Sequence, residues 1–378
     1  MGRDNSKITK RNRGRFDAFL LISTFAKSLI EVFISLYLFK NGFSLHLVFF
    51  FYLLENIFCI ILSYCFVKIG EKYNYGIVMC VGVVSFIILQ FVLGHLAHDY
   101  VYILFISFLY AAYRRGYWVA RRFYVTEIMP KRNSSIPYSM VRAVSEFGSI
   151  MAGFVGGFLL DSFHNSTLII LSSFLLAFSV LPLFGIENRN RKKTKIELIK
   201  NIKRYNKKNL LAFTLFEINN LLTFLFPIYV FLYVENTYTM AGAVNAANGL
   251  AIIIITLIYG RIIKNKDFFV VSSILFILIS FSKLLFLNYF ILFINFIEGI
   301  IKNMQTQSLG KIYFESRNGM DLAHYNLIYQ IVEALARAIV VVPLLFMSDV
   351  RVMIIFVLLV ICGELVIYAC LKKNRKLC

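Results

Sequence analysis

The sequence has little charge, little proline and few acidic residues for its length of 378 residues. Only 16% of its residues are charged and 59% are hydrophobic, whereas soluble domains have about 25% charged and about 45–50% apolar residues. Its mean hydropathy is +0.74. Because a soluble globule could not bury so much apolar surface, these numbers exclude soluble, disordered, collagen-like and coiled-coil classes and predict a protein embedded in lipid.

The sequence also lacks the patterns of a metal site, a disulfide framework or an ATP-driven pump. The six cysteines lie in apolar segments or at the carboxyl end and have no paired spacing. The five histidines are dispersed, and no phosphate-binding loop is present. A membrane-embedded lipid-modifying enzyme would need clustered histidines and acids or an aspartate-rich motif. We therefore expect no enzyme activity and no cofactor.

Twelve apolar stretches of about 20 residues have the length that one helix needs to cross a bilayer. We number them spans 1 to 12, and their approximate bounds are 17–39, 44–67, 76–97, 100–122, 138–160, 165–185, 210–233, 239–262, 268–287, 289–310, 321–347 and 351–371. The predicted fold is therefore an all-α membrane protein with twelve transmembrane helices.

Basic residues predict the orientation and the division of the chain. Most of the 40 Lys and Arg lie at the amino terminus, in the even-numbered loops and in the carboxyl tail, whereas the odd-numbered loops hold Lys40 and Arg351. This bias predicts that both termini are cytoplasmic. The longest polar segment, 187–209, is strongly basic and divides the spans six and six. We predict an amino-terminal bundle over 1–186, a linker over 187–209 and a carboxyl-terminal bundle over 210–378.

The two halves match at an offset of 187 residues, the separation between positions 115 and 302. At this offset Arg115 corresponds to Lys302, Tyr138 to Tyr325 and Glu146 to Glu333, while Glu31 falls one position short, on Glu217. The matches favour a duplicated six-helix unit, so that the two bundles are pseudo-symmetric. Transporters built from parallel repeats bind their substrate between the repeats, near the middle of the membrane.

Charged residues inside the spans are the main functional signal, because each costs about 2.5–3.5 kcal/mol at the centre of a lipid-embedded helix. Four pairs of opposite charge are spaced i, i+4, and they are Lys27/Glu31, Arg142/Glu146, Glu298/Lys302 and Glu333/Arg337. Such pairs are also found as contacts between helices. However, spans 3, 6, 9 and 12 hold only Lys283 and Glu364, so the distribution favours a polar cavity lined by the remaining spans.

Several charges have no such partner on their own helix. The charge of Glu55 in span 2 and of Glu217 in span 7 must be met across helices or removed by a proton, and Glu217 is the preferred proton site. Arg114 and Arg115 in span 4 need an acidic partner or an anionic ligand. Since adjacent residues point about 100° apart, we expect one to face the cavity, and the match with Lys302 favours Arg115. Arg121 and Arg122 are expected to be ordinary cytoplasmic anchors.

Short motifs resemble those of the major facilitator superfamily, in particular its drug/proton antiporters. The segment 148–157 in span 5 resembles their glycine-rich motif through Gly148, Ala152, Gly153, Gly156 and Gly157. Between spans 2 and 3, Glu71 and Lys72 occupy the acidic and basic positions of a loop signature, and Arg114-Arg115-Gly116 resembles an arginine motif associated with proton coupling. The resemblance implies alternating access around a central site lined by spans 1, 4, 7 and 10.

The expected function is a multi-pass secondary transporter of the plasma membrane that exports a small, partly apolar compound against protons. The expected substrate and proton pathway is Lys27, Glu31, Glu55, Arg115, Arg142, Glu146, Glu217, Glu298, Lys302, Glu333 and Arg337. An importer or exchanger of an organic anion held by Arg115 and Lys302 is the alternative, and a receptor of transporter descent remains open. The expected partners are the solute, protons and the bilayer, for a monomer that binds no nucleic acid.

Overall fold

The computed structural model describes residues 2–97, 99–128, 135–163, 165–185, 207–262, 268–285, 290–316 and 322–374. In these residues the chain is helical and has no strand, as expected. The predicted linker, 187–209, lies almost entirely outside the described residues. The helices of spans 1 to 12 are Gly2–Glu31 with Ile34–Lys40, Leu45–Lys72, Tyr75–Leu93, Tyr100–Ile128, Ser135–Ser162, Asn165–Ser179, Lys207–Tyr233, Tyr238–Ile262, Phe269–Leu285, Ile291–Ser316, Leu322–Leu344 and Val350–Asn374.

Eight of these helices are long and apolar enough to cross a membrane by length and composition alone, and they belong to spans 1, 2, 3, 6, 7, 8, 11 and 12. The helices of spans 4, 5 and 10 have 29, 28 and 26 residues and carry many of the charged residues described below. The helix of span 9 is shorter, at 17 residues. Span 1 is broken after Glu31, and a short 3₁₀ helix, Leu181–Gly185, ends span 6.

Several helices begin with a side-chain cap that satisfies a free backbone N–H group. Ser44 accepts from Leu47 N at 3.3 Å at the start of span 2, and Asn74 accepts from Gly76 N at 2.7 Å at the start of span 3. Asp99 accepts from Tyr102 N at 2.6 Å at the start of span 4. The connections at these caps are short, so spans 1 to 4 run antiparallel to their neighbours in sequence.

The twelve helices form two six-helix bundles that contact each other through a few pairs of spans. Span 5 packs along span 8, span 2 along span 11, and the second part of span 1 against span 7. The contacts of span 5 with span 8 extend from the middle of the two helices, where Ile150 lies against Gly249, to the ends remote from the chain termini, where Asp161 contacts Thr239.

Adjacent small residues of span 5 serve two different interfaces. Gly148 and Gly156 lie against the backbone of span 1, in the same half, where an added Cβ would contact Leu21 and Leu29. Gly153 and Gly157 lie against span 8 of the other half, at Gly242 and Tyr238. Ala152 is fully buried. Small side chains therefore permit close backbone approach on both faces of this helix.

Candidate functional site

A cavity of about 490 Å³ lies between the two halves. Its walls come from spans 1, 4 and 5 on one side and from spans 7, 8, 10 and 11 on the other. Among the residues that the structure describes, ten charged ones line it, namely Lys27, Glu31, Arg114, Arg121, Arg122, Glu146, Glu217, Lys302, Glu333 and Arg337. The cavity is therefore rich in charged groups, and aromatic side chains also line it.

The halves close over the cavity at the end remote from the chain termini. The rings of Tyr52 and Phe224 lie 4.6 Å apart between centroids, and the Ser35 hydroxyl donates to the Phe224 carbonyl at 3.2 Å. At the same end Asp161 of span 5 accepts hydrogen bonds from the backbone N–H groups of Tyr238 and Thr239, at 3.2 and 2.7 Å. The contacts of span 5 with span 8 thus seal this side.

Glu333 of span 11 is the main electrostatic link between the halves at the cavity. Its carboxylate lies 2.9 Å from Arg122, 3.6 Å from Arg115 and 3.8 Å from Arg114, all in span 4 of the other half. In its own half it accepts from Arg337 at 3.0 Å. One carboxylate is thus shared by four guanidinium groups, and the expected i, i+4 pair with Arg337 is formed.

Glu217 is held within its own half. Arg337 donates to its carboxylate, and the Asn220 side chain donates to the same oxygen at 3.3 Å. Glu217 and Glu333 therefore share Arg337, and both line the cavity. The charge of Glu217 is met across helices, which was one of the two alternatives left open by the sequence.

Glu55 lies behind the cavity wall and pairs with Arg114 at 2.8 Å. The Cys59 thiol donates to the same carboxylate oxygen at 3.0 Å. Glu55 is fully buried, so it balances the charge of Arg114 without contacting the cavity itself. Its charge, too, is met across helices.

Lys27 and Glu31 form their expected pair on the wall of the amino-terminal half, at 3.0 Å. The Lys27 ammonium group lies 4.8 Å from the centre of the Tyr117 ring. Glu31 accepts from the hydroxyl groups of Tyr113 at 3.2 Å and Tyr110 at 3.4 Å. This pair is embedded in aromatic rings from span 4.

Lys302 lines the opposite wall beside a group of neutral polar side chains. Its ammonium group donates to the Thr223 hydroxyl at 3.0 Å. The other neutral polar residues on this wall are Asn220, Asn245, Asn248 and Thr306. Charge alone does not identify the two asparagines of span 8, but their i, i+3 spacing within an apolar span is a signal for them.

Several expectations for span 4 are wrong. Arg114, rather than Arg115, lines the cavity, and Arg115 lies behind it at 1% exposure, with its Nη1 atom 3.4 Å from the Gln330 side-chain oxygen. Arg121 and Arg122 are not merely surface anchors, because both line the cavity. Arg121 donates to the Ser145 hydroxyl at 3.1 Å, and Arg122 pairs with Glu333.

The expected pair Glu298/Lys302 is also wrong. Glu298 is turned away from the cavity and pairs with Lys283 of span 9, which in turn donates to the Asn295 side chain at 2.5 Å. Spacing of i, i+4 places two residues on the same side of a helix, but the neighbouring helix decides which partner is nearer. Lys283, one of the two charged residues of spans 3, 6, 9 and 12, supplies that partner.

The remaining predicted residues are placed as follows. Glu146 lines the cavity, whereas the side chain of Arg142 lies outside those that the structure describes. Glu71 and Lys72 lie at the turn between spans 2 and 3, away from the cavity, and the Lys72 ammonium group lies 4.9 Å from the Tyr73 ring centre. Of the eleven pathway residues, seven line the cavity, namely Lys27, Glu31, Glu146, Glu217, Lys302, Glu333 and Arg337.

Two helical bundles around a central polar cavity form the architecture of a membrane transporter with a site between repeats. The sequence matches the model of the Major Facilitator Superfamily over residues 18–340. The chain therefore belongs to the major facilitator superfamily and is a multi-pass membrane transporter, not an enzyme.

Solved structures share this fold at low sequence identity. The POT family transporter PepTSo has a TM-score of 0.72 and 9% identity, covering 97% of this chain and 98% of its own. The Escherichia coli fucose:proton symporter has a TM-score of 0.65 and 12% identity, covering 95% and 98%. No curated protein sequence matches the chain significantly. Membership of the drug/proton antiporter subgroup is not established by these similarities.

Proposed function

We propose that the chain is a proton-coupled secondary transporter of a small organic anion. The observation that carries this proposal is the charge of the cavity. Among the described residues, six basic and four acidic side chains line it, and the opposite charges of Glu55 and Arg115 behind the wall leave this difference unchanged. The ionised lining thus has two more positive than negative charges, and in a poorly solvated site such an excess favours an anionic ligand.

Alternating access would expose this cavity to each side of the membrane in turn. The positive charge bias of the loops supports cytoplasmic termini in the plasma membrane. With that orientation, the closed end at Tyr52, Phe224 and Asp161 is extracellular, and the cavity is on the path to the cytoplasm.

Proton coupling is assigned to the two carboxylates that share Arg337. When an anion competes for the guanidinium groups around Glu333, Glu333 and Glu217 are left with Arg337 between them. One proton then removes the excess negative charge, so anion and proton bind together. The similarity in fold to a fucose:proton symporter supports this coupling.

A second candidate is the export of a partly apolar compound in exchange for protons. It is favoured by the aromatic side chains on the cavity wall, namely Tyr110, Trp118, Phe213, Phe216, Phe224 and Tyr329. Such walls bind apolar rings and chains. In that case the charged residues would serve proton transfer alone.

The test is transport into proteoliposomes with a pH-sensitive dye trapped inside. Addition of a panel of carboxylates and organic phosphates to wild-type vesicles should change the internal pH for at least one anion, and an imposed pH gradient should drive its accumulation. Glu217→Gln should abolish this coupling. Glu364→Gln is the matched control, since Glu364 lies in span 12 outside the cavity lining and contacts Thr214 at 3.4 Å.

Two results would contradict the proposal. One is a protein that moves no anion under either direction of the gradient. The other is proton-coupled flux that is unchanged in Glu217→Gln. Gradient-driven loss of an uncharged aromatic compound from the vesicles would favour the second candidate instead.

A further inference from the structure

Three arginines of span 4, Arg114, Arg115 and Arg122, surround the Glu333 carboxylate, which has too few oxygens to accept a hydrogen bond from each of them. Glu333 has two oxygens, and they lie at hydrogen-bond distance from Arg122 and Arg337, at 2.9 and 3.0 Å. Arg114 and Arg115 lie farther away, at 3.8 and 3.6 Å, beyond the usual limit of a hydrogen bond. The Nε and Nη2 atoms of Arg115 are buried and have no hydrogen-bond partner among the described residues.

This site is open to a ligand. Arg114, Arg122 and Glu333 all line the cavity. A group with three or four acceptor oxygens could bind more of these guanidinium groups than a carboxylate does, and arginine is well suited to bidentate contacts with phosphate. The arrangement therefore fits a tetrahedral oxyanion better than the glutamate that now occupies it.

Glu333 can separate from the three arginines when the two halves move apart. It comes from the carboxyl-terminal half, while the three arginines come from the amino-terminal half, so any separation of spans 4 and 11 on this side breaks their contacts. Glu333 would keep Arg337, its partner in the same helix. Arg114 would keep Glu55, but Arg122 and Arg115 would lose the carboxylate they now share.

We propose that Arg114 and Arg122, with Arg115 behind them, bind a phosphate-like group of the transported solute, and that Glu333 occupies this site when the solute is absent. The inference rests on the proposed function, since it names the chemical class of the transported anion. It makes Glu333 an internal competitor of the ligand. Removal of its charge should therefore raise the affinity for the ligand.

The experiment measures binding to the purified full-length protein in nanodiscs of neutral lipid, so that no anionic headgroup competes. Inorganic phosphate and methyl phosphate are the probes, and acetate, with two oxygens, is the control ligand. Apparent Kd values come from the ligand dependence of thermal unfolding. Glu333→Gln should bind both phosphates about tenfold more tightly, because more of the protein is then competent to bind, while the affinity for acetate changes by less than about threefold.

Glu217→Gln is the matched charge control. It removes one negative charge from the same cavity and the same half, but it frees Arg337 and not the arginines of span 4. Because this variant mimics the protonated carboxyl, its affinity for phosphate should rise, but by less than that of Glu333→Gln, since Glu333 still occupies the arginine site. A rise equal to that of Glu333→Gln would place the anion at Arg337 and overturn the proposal.

A second pair of variants tests the site without altering Glu333. Arg122→Gln should weaken phosphate binding about tenfold or more, whereas Arg121→Gln, its neighbour on the cavity wall, should change it by less than about threefold, since each charge-assisted contact contributes about 1.5–3 kcal/mol. The site would be refuted if the two variants had equal effects on phosphate binding. It would also be refuted if neither the folded wild-type protein nor Glu333→Gln bound phosphate.

The two proposals fail in different ways. Phosphate binding that follows these variants, without any gradient-driven flux, would retain the arginine site and refute coupled transport. If the protein transported a carboxylate with protons but did not bind phosphate, the proposed function would be retained and the arginine site would be refuted.

Discussion

Two acidic residues of the carboxyl-terminal half, Glu298 and Glu333, have nearly the same burial and different surroundings. Their side chains are 6% and 5% exposed. Glu298 pairs with Lys283 of its own half, away from the cavity. Glu333 lines the cavity and contacts three arginines of the other half.

The comparison shows that burial does not by itself distinguish a structural charge from a functional one. A pair inside one bundle moves as a unit when the bundles rotate, so its energy is the same in each state of the transport cycle. A pair that spans the bundles is made and broken as they move. Only the second kind can couple ligand binding to conformation, because a ligand shifts an equilibrium only through contacts that differ between the states.

The largest expected effect on stability comes from the Glu298 pair. Glu298→Gln leaves the Lys283 ammonium group buried near Phe226 without its counter-charge, and breaking such a pair costs about 3–5 kcal/mol. The double variant Lys283→Met with Glu298→Leu should recover most of that loss, since it buries no charge. Denaturant unfolding in detergent measures the unfolding free energy of the single and the double variant. A single variant as stable as the double one would contradict this structural role.

At Glu333 we expect a large effect on transport and a smaller effect on stability. Glu333→Gln should lower the initial rate of coupled transport about tenfold or more, because charge-assisted contacts of about 1.5–3 kcal/mol are lost between the halves. Its unfolding free energy should fall by less than that of Glu298→Gln, since Arg122 keeps contacts such as that with the Tyr329 ring, 4.1 Å away. Unchanged flux per folded molecule, with stability as low as in Glu298→Gln, would remove the distinction between the two pairs.

The sequence predicted the spans and the helices that carry the cavity charges, because both depend on residue type and on regular spacing along one helix. It did not predict which face of span 4 meets the cavity. It favoured Arg115, whereas Arg114 lines the cavity. It also paired Glu298 with Lys302. The rotation of a helix and the identity of its neighbours are set by packing between distant segments, and a single sequence does not record these. The span 5 glycines were informative, since close backbone contact requires small residues whatever the neighbour.

The comparison of contacts within and between the halves extends to adjacent glycines of span 5. Gly156→Ala places a Cβ against Leu29 of the same half and should lower stability by about 1–3 kcal/mol through overpacking. Gly157→Ala places it against Tyr238 of the other half. That strain is relieved when the halves separate, so we expect a smaller loss of stability and a shift towards opening at this end.

Labelling of a cysteine introduced at Val32, on the cavity wall, measures the shift. An impermeant maleimide applied from the side of the closed end should react faster in Gly157→Ala than in wild type, and at the wild-type rate in Gly156→Ala. Equal labelling rates in the two variants would mean that this interface does not gate the cavity.

The smallest effect is expected at two helix caps. Asp161 caps span 8 from the other half, through Thr239 N at 2.7 Å, whereas Asp349 caps span 12 within its own half, through Arg351 N at 2.7 Å. Asn keeps a capping oxygen and removes the charge in both cases, at a cost of about 0.3–1 kcal/mol. Asp161→Asn should turn that cost into faster labelling at position 32, because the cap exists only while the halves touch. Asp349→Asn should lower stability and leave the labelling rate at position 32 unchanged. If Asp349→Asn also raised that labelling rate, the effect of these substitutions would act through the bundle and not through the contact between the halves.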